Sequence, residues 1–119
     1  MHKGVAYFKA QGQAIIATLD NNPTSVSFYE QLPIKVKVKD YASNEKIFDP
    51  PKALSLTGAP SGYKPSRGDI TLYGPWGNIA IFYKGFSYAS GLVPMGRITS
   101  GLESLEKMDN VEVQIEVNK

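Results

Sequence analysis

The fold is decided most clearly by the stretch MGRITSGLESLEKMDNVEVQIEV, residues 95–117. Its first five residues, 95–99, have the character of a short strand. Ser100 and Glu103 then have the spacing of a capping box, in which each side chain bonds the backbone N–H of the other residue at the start of a helix. The apolar positions of that helix are Leu102, Leu105 and Met108. The stretch therefore begins as a predicted strand followed by a short helix.

The rest of this stretch, residues 111–117, alternates between apolar and polar side chains. A period of two predicts a strand with one buried face and one face in solvent. Residues 34–39 alternate in the same way, and their polar positions are all lysine. We expect this lysine row to be a solvated strand face that discourages edge pairing, with attraction of an anionic partner as the alternative.

Working outward, the other apolar segments are short and are separated by turn-forming residues. Two of them flank Gln11-Gly12-Gln13, which predicts a β-hairpin. Segments rich in Gly, Pro and Ser at residues 54–67 and 86–94 are predicted to be surface loops. The predicted strands are residues 5–10, 14–19, 34–39, 45–48, 69–73, 78–83, 95–99 and 111–117.

A second helix is predicted directly after the hairpin. Asn22 can cap free backbone N–H groups, and Pro23 suits the first helical position. Val26, Tyr29 and Leu32 recur every three residues and predict one buried stripe, before Pro33 ends the helix.

So many short strands in a chain of 119 residues require a closed or nearly closed sheet. We therefore predict a single, mainly β domain over residues 1–119. Its architecture is a barrel of about eight strands with two short helices covering the open ends.

Composition excludes several classes of function. The sequence has no cysteine and one histidine, His2, so thiol chemistry and a multi-histidine metal site are excluded. A net charge of +2 with two arginines argues against nucleic acid as a partner. No apolar run approaches the roughly 20 residues of a transmembrane segment. The cytoplasm is the default location, although an exported protein whose leader had been removed would look the same. The oligomeric state is not specified.

The block at residues 95–105 resembles the closing segment of cyclophilins, where a strand leads through a Gly-hydrophobic pair into the second helix. The whole chain is similar to a family of small bacterial cyclophilin-like proteins of unassigned function. The landmarks of that similarity are Asn22-Pro23-Thr24, Gly58-Ala59-Pro60, Gly68-Asp69-Ile70, Trp76-Gly77-Asn78 and Ile81-Phe82-Tyr83. The resemblance implies a cyclophilin-like barrel.

The chain departs from the working prolyl isomerases at one position of the resemblance. Those enzymes use an arginine to hydrogen-bond the substrate carbonyl, and a Gln-Gly-Gly run follows it. The corresponding stretch here is EKIFDP, residues 45–50, which has neither. Lys46 is a point charge and cannot replace a planar guanidinium. Prolyl isomerase activity is therefore expected to be weak or absent, and no catalytic residue is predicted.

The candidate binding site is a group of aromatic side chains around the turn at residues 74–77. The resemblance to cyclophilins implies that these segments line a groove, which in those proteins binds proline. Exposed aromatic side chains beside a rigid sheet favour apolar ligands. In the alternative, Tyr73 and Phe82 fill the barrel and Trp76 covers one mouth. The predicted binding residues are Tyr73, Trp76, Asn78, Phe82 and Tyr88.

The sequence thus favours a non-catalytic module that binds an apolar small molecule or an extended peptide, with no cofactor and no metal. A weak peptidyl-prolyl isomerase is the first alternative. A protein-interaction domain that uses the loop at residues 54–67 is the second. Asp69, which follows Gly68, is expected to fix a turn rather than to act as an acid or base.

Overall fold

The computed structural model describes residues 4–117. Within that range the chain forms ten strands and two helices. In chain order these elements are β1 (Gly4–Ala10), β2 (Gln13–Leu19), α1 (Pro23–Tyr29), β3 (Ile34–Tyr41), β4 (Glu45–Phe48), β5 (Gly62–Tyr63), β6 (Asp69–Tyr73), β7 (Asn78–Phe82), β8 (Ala89–Ser90), β9 (Leu92–Ser100), α2 (Leu102–Glu106) and β10 (Val111–Val117).

Eight strands close into a barrel in the order β1-β10-β3-β4-β7-β6-β9-β2. Every neighbouring pair in the barrel is antiparallel. The two shortest strands, β5 and β8, pair with each other in a separate two-stranded sheet. The predicted mainly β barrel of about eight strands is confirmed.

The alternation in the sequence decides which side chains fill the barrel. On β3, Val36 and Val38 are buried, whereas the intervening lysines are exposed. On β10, Val113 and Ile115 are fully buried beside them, because β10 pairs with β3 in register. An eight-stranded barrel is just wide enough for its own side chains to fill the interior. The lysine row therefore lies on the solvent face, as expected.

The two short helices lie at opposite ends of the barrel. Helix α1 follows the last residue of β2, and α2 follows the last residue of β9. Because β2 and β9 are antiparallel neighbours, their last residues lie at opposite ends of the sheet. Phe28 of α1 and Leu105 of α2 are fully buried in the main apolar core. Neither helix has the length and apolarity needed to cross a membrane.

The predicted buried stripe of α1 is wrong in part. Asn22 caps the helix as expected, since its side chain accepts from the backbone N–H of Ser25. However, Val26 is 37% exposed, and the buried residues are Thr24, Ser25 and Phe28. Tyr29 and Leu32 are half-buried and pack against the core. The helix is rotated because it docks through hydrogen bonds, including one of 2.7 Å from Ser25 Oγ to the carbonyl oxygen of Met95.

The predicted capping box of α2 is also wrong. Ser100 is the last residue of β9 and pairs with Ile16 of β2, so its backbone belongs to the sheet. Gly101 occupies the cap position with a left-handed φ of 89°, and no side chain caps the helix. A Cβ on Gly101 would lie 3.1 Å from the side chain of Ile15, so the backbone approaches β2 closely here. Strand pairing takes precedence over the local motif.

The two predicted loops contain short regular segments. The loop at residues 54–67 includes β5, and the loop at residues 86–94 includes β8. Strand β9 also begins three residues earlier than predicted, at Leu92. These segments pack beside the outer face of β6 and β9 and help to form the cleft described next.

Candidate functional site

A cleft of about 280 Å³ lies on the outer face of the barrel. Its floor is formed by side chains of β4, β7, β6 and β9 that point away from the core. On β7, Ile79 and Ile81 belong to the main core, whereas Ala80 and Phe82 belong to a second, smaller apolar cluster. The period-two alternation of a strand explains this division. The floor residues are Glu45, Ile47, Tyr73, Asn78, Phe82 and Leu92.

The register of the sheet brings these residues together from distant parts of the chain. Glu45 pairs directly with Phe82 across the β4–β7 ladder. Tyr73 pairs with Asn78 across β6–β7 and with Leu92 across β6–β9. Directly paired residues have their Cβ atoms about 5 Å apart, so their side chains touch. The cleft therefore depends on closure of the barrel.

Aromatic side chains form the walls of the cleft. Trp76 is 65% exposed, and its ring centroid lies 5.4 Å from that of Tyr73 at an interplanar angle of 80°. It lies 6.1 Å from Tyr41 at 88°. Phe82 and Phe86 form another pair, with centroids 6.1 Å apart and rings 28° from parallel. The edge-to-face contacts hold Trp76 in place while leaving most of its surface open to solvent.

The turn between β6 and β7 fixes the position of Trp76. The backbone N–H groups of Trp76 and Gly77 both donate to the carbonyl oxygen of Tyr73, at 3.2 and 2.8 Å. Gly77 has a φ of +76°, a value that favours glycine. Gly74 donates to the carbonyl oxygen of Gly91 at 2.8 Å, which ties the turn to the start of β9. The indole therefore projects from a rigid turn.

Two polar side chains lie among the apolar residues of the cleft. Glu45 is half-buried, and burial raises the pKa of its carboxyl group, with the nearby negative charge of Asp40 acting in the same direction. Asn78 is 7% exposed. Its Nδ2 donates to the carbonyl oxygen of Ile79 at 3.1 Å, but its Oδ1 has no hydrogen-bond partner within residues 4–117.

The structure brings together four of the five residues predicted from the sequence. Tyr73, Trp76, Asn78 and Phe82 all line the cleft. Phe82 and Tyr73 lie on the outer face, so the alternative in which they fill the barrel is wrong. Asn78 bonds locally at the end of the turn, and its part in binding stays a prediction.

Tyr88 does not line the cleft, so its predicted place there is wrong. It is 58% exposed, and its hydroxyl lies 3.3 Å from Ser61 Oγ. The ring packs against the backbone of Gly62, because β8 pairs with β5 in the separate small sheet. That pairing directs the side chain of Tyr88 away from the outer face of β7.

Sequence reasoning missed several lining residues that come from other strands. Tyr41, Glu45 and Ile47 belong to β3 and β4, about 30 residues before the aromatic turn. The alternation on β4 separates Glu45 and Ile47 from Lys46 and Phe48, but it does not tell which pair faces outward. The remaining lining residues are Phe86, Ala89 and Leu92.

A buried polar group that the sequence did not predict closes one end of the barrel. Lys46 is 2% exposed, and its Nζ lies 3.0 Å from Asp40 Oδ1 and 5.1 Å from the ring centroid of Tyr83. It also donates to the carbonyl oxygen of Met108. The hydroxyl of Tyr83 donates to Asp40 at 2.6 Å. We call Lys46, Asp40, Tyr83 and Met108 the mouth cluster; its groups bond one another and face away from the cleft.

Asp69 fixes a turn, as expected. Its Oδ2 accepts from the backbone N–H of Ser66 at 2.8 Å and from the Tyr63 hydroxyl at 2.7 Å, and its Oδ1 pairs with Arg97. Both carboxylate oxygens are therefore occupied. Among the residues that the structure describes, no three His, Cys, Asp or Glu side chains come together in an arrangement that could hold a metal ion.

Comparison with known proteins agrees with this fold. No curated protein is significantly similar to this chain. The solution structure of a hypothetical protein from Archaeoglobus fulgidus matches with a TM-score of 0.75 and 18% sequence identity. The match covers 98% of this chain and 95% of that one, and at this identity it shows the fold alone. The model of the Cyclophilin-like family matches residues 8–118. The chain therefore belongs to the Cyclophilin-like family.

Proposed function

We propose that this protein is a non-catalytic module that binds a compact apolar ligand in the outer cleft. The observation that carries the proposal is the concentration of exposed aromatic surface at one place. Trp76 is 65% exposed, Phe86 49% and Tyr41 43%, and all three line the same cleft. Exposed apolar side chains scattered singly need no explanation, but a contiguous group beside a concavity is typical of a binding site.

The size of the cleft favours a small molecule over an extended peptide. Sites for drug-sized ligands have volumes of about 300–1,000 Å³. A cleft of about 280 Å³ is at the lower limit and accommodates a single ring with a short substituent. An extended peptide would place one side chain there and leave the rest of its length on the surface.

The positions of the arginines support binding without catalysis. The sequence has two, Arg67 and Arg97, and neither lines the cleft. Arg67 donates to the carbonyl oxygen of Tyr83 and pairs with Glu106, whereas Arg97 pairs with Asp69. Lys46, in the stretch that corresponds to the arginine region of the prolyl isomerases, faces the barrel interior. No guanidinium is therefore placed to polarise a substrate carbonyl in the cleft.

Binding can be tested with the tryptophan of the protein itself. Trp76 is the single tryptophan of the sequence, so its fluorescence reports on the cleft alone. We expect benzyl alcohol, used as a ring-sized probe, to give a saturable change with a dissociation constant in the millimolar range, as is usual for fragments. Ligand-detected NMR should show that Trp76→Ala loses this binding. Tyr88→Ala is the matched control, because it removes an exposed aromatic ring outside the cleft and should keep it.

Two results would contradict the proposal. One is non-saturable fluorescence change with benzyl alcohol, and the other is equal binding by Trp76→Ala and the wild type. A protease-coupled proline-peptide assay separates the proposal from a weak isomerase. We expect no acceleration at high protein concentration; acceleration that Trp76→Ala abolishes would establish the isomerase instead.

A further inference from the structure

The charge of the cleft points to the chemical class of its ligand. Among its described lining residues, Glu45 is the one charged side chain, and no lysine or arginine lines it. The adjacent Lys46 points to the opposite face of β4 and binds Asp40. The cleft therefore combines aromatic walls with a single negative charge.

Glu45 has no cationic partner within residues 4–117. The four ion pairs there use the carboxylates of Glu116, Asp40, Glu106 and Asp69. Partial burial raises the free energy of the ionised form of Glu45, which is why its pKa is raised. A bound cation would supply the missing partner for this carboxylate.

Asn78 is the other polar side chain that lines the cleft. Asn78 is 7% exposed, and its Oδ1 has no hydrogen-bond partner in the described chain. Because Asn78 lies four residues along β7 from Phe82, the partner of Glu45, it is too far from Glu45 to bind the same ammonium group.

The aromatic walls are suited to the same kind of ligand. Trp76 stands nearly perpendicular to both Tyr73 and Tyr41, so the three rings present surfaces in different directions around one space. The faces of aromatic rings carry partial negative charge and attract ammonium groups, tryptophan most strongly. Rings at right angles beside a carboxylate are the usual arrangement for recognising such cations.

We propose that the ligand of the outer cleft is a small organic ammonium compound: a protonated amine attached to a compact apolar body. The ammonium group lies against Trp76 and Tyr41 and pairs with Glu45. The apolar body packs on Phe82 and Leu92. This inference rests on the proposed function, because it requires that the cleft binds a ligand at all.

Probes of similar size and different charge test the inference on the wild-type protein. Benzylammonium and benzyl alcohol have the same ring and nearly the same size, and phenylacetate carries the opposite charge. Trp76 fluorescence at neutral pH should show benzylammonium binding about tenfold more tightly than benzyl alcohol, and phenylacetate binding least. Glu45→Gln should bring the affinity ratio of the first two probes close to one. Glu112→Gln is the matched control, because it removes one exposed carboxylate on β10 and should keep the ratio.

The outcomes separate this inference from the function on which it rests. Equal affinity of the wild type for benzylammonium and benzyl alcohol would overturn the ammonium ligand and leave the binding module intact. Absence of saturable binding by either probe would overturn both. A tenfold ratio that survives in Glu45→Gln would overturn the pairing with that carboxylate. The comparison in the wild type requires no variant, so it decides the matter even if Glu45→Gln fails to fold.

Discussion

The mouth cluster gives a sharp prediction about stability, because its two charges differ in exposure. The side chain of Lys46 is 3% exposed, whereas that of Asp40 is 24% exposed. Asp40→Asn leaves the ammonium group of Lys46 buried with the Met108 carbonyl oxygen and the Tyr83 ring, and without a counter-ion. Lys46→Met keeps the volume of the stem and removes the buried charge. Asp40 then retains its bonds from Tyr83 and Ser43 and its access to water.

The expected magnitudes follow from these contacts. Removing one partner of a buried ion pair typically destabilises a protein by about 3–5 kcal/mol. We expect about 3 kcal/mol for Asp40→Asn, at the lower end because the pair is partly solvated. For Lys46→Met we expect about 1–2 kcal/mol, mainly from the lost bond to Met108. The double variant should resemble Lys46→Met alone, since the uncompensated charge is gone.

Urea unfolding at pH 7, followed by far-ultraviolet circular dichroism, measures these differences. Fluorescence is unsuitable here because the single tryptophan, Trp76, is already mostly exposed in the folded state. The order of the two single variants is the decisive result. If Lys46→Met is as destabilising as Asp40→Asn or more so, the reasoning from exposure is refuted.

Two other predictions concern the barrel. A Cβ on Gly96 would overlap the carbonyl oxygen of Thr18, so Gly96→Ala should destabilise the fold by about 3 kcal/mol or more. The control is Gly12→Ala, at a turn where a Cβ would meet nothing within 4 Å, and it should destabilise the fold by about 1 kcal/mol. Similar losses of the two variants in urea unfolding would contradict this explanation. Burial raises the pKa of Tyr63 and of Tyr83 to about 12. The hydrogen bonds from Tyr63 to Asp69 and from Tyr83 to Asp40 act in the same direction. Because the pKa of each tyrosine is higher in the folded state than in the unfolded state, the contribution of the two hydroxyl groups to stability is complete below about pH 10. This contribution is lost as the pH rises towards about 12. Phenylalanine at either position should reduce the alkaline loss of unfolding free energy, and an unchanged pH dependence would refute this.

The barrel could be predicted from the sequence because its signals are local. Residues 34–39 and 111–117 alternate without interruption, and an alternating strand must bury one face wherever it lies in the sheet. The two predictions about helices that failed did so where a tertiary hydrogen bond outweighed a local pattern. Ser25 anchors α1 to Met95 and rotates Val26 outward, and sheet pairing of Ser100 removes it from the capping position.

The candidate site was predictable only where it is contiguous in sequence. Tyr73, Trp76 and Phe82 belong to one hairpin, so proximity along the chain places them together. Glu45 reaches the cleft through the pairing of β4 with β7, which the sequence does not reveal. Tyr88, in contrast, is near the hairpin in sequence but is directed away by β8. The charged residue that defines the ligand in our proposal was therefore among those that required the structure.

The position of the cleft follows from the size of the barrel. Eight strands enclose a space that their own side chains fill, and Ile79 and Ile81 are fully buried there. A ligand site must then use the outer face, which on β3 carries lysines. Strand β7 differs because two of its outer side chains, Ala80 and Phe82, are apolar and buried under the segments that follow β6 and β7. One strand thus stabilises the barrel with one face and provides the floor of the cleft with the other, so the outer face can change its ligand without altering the core.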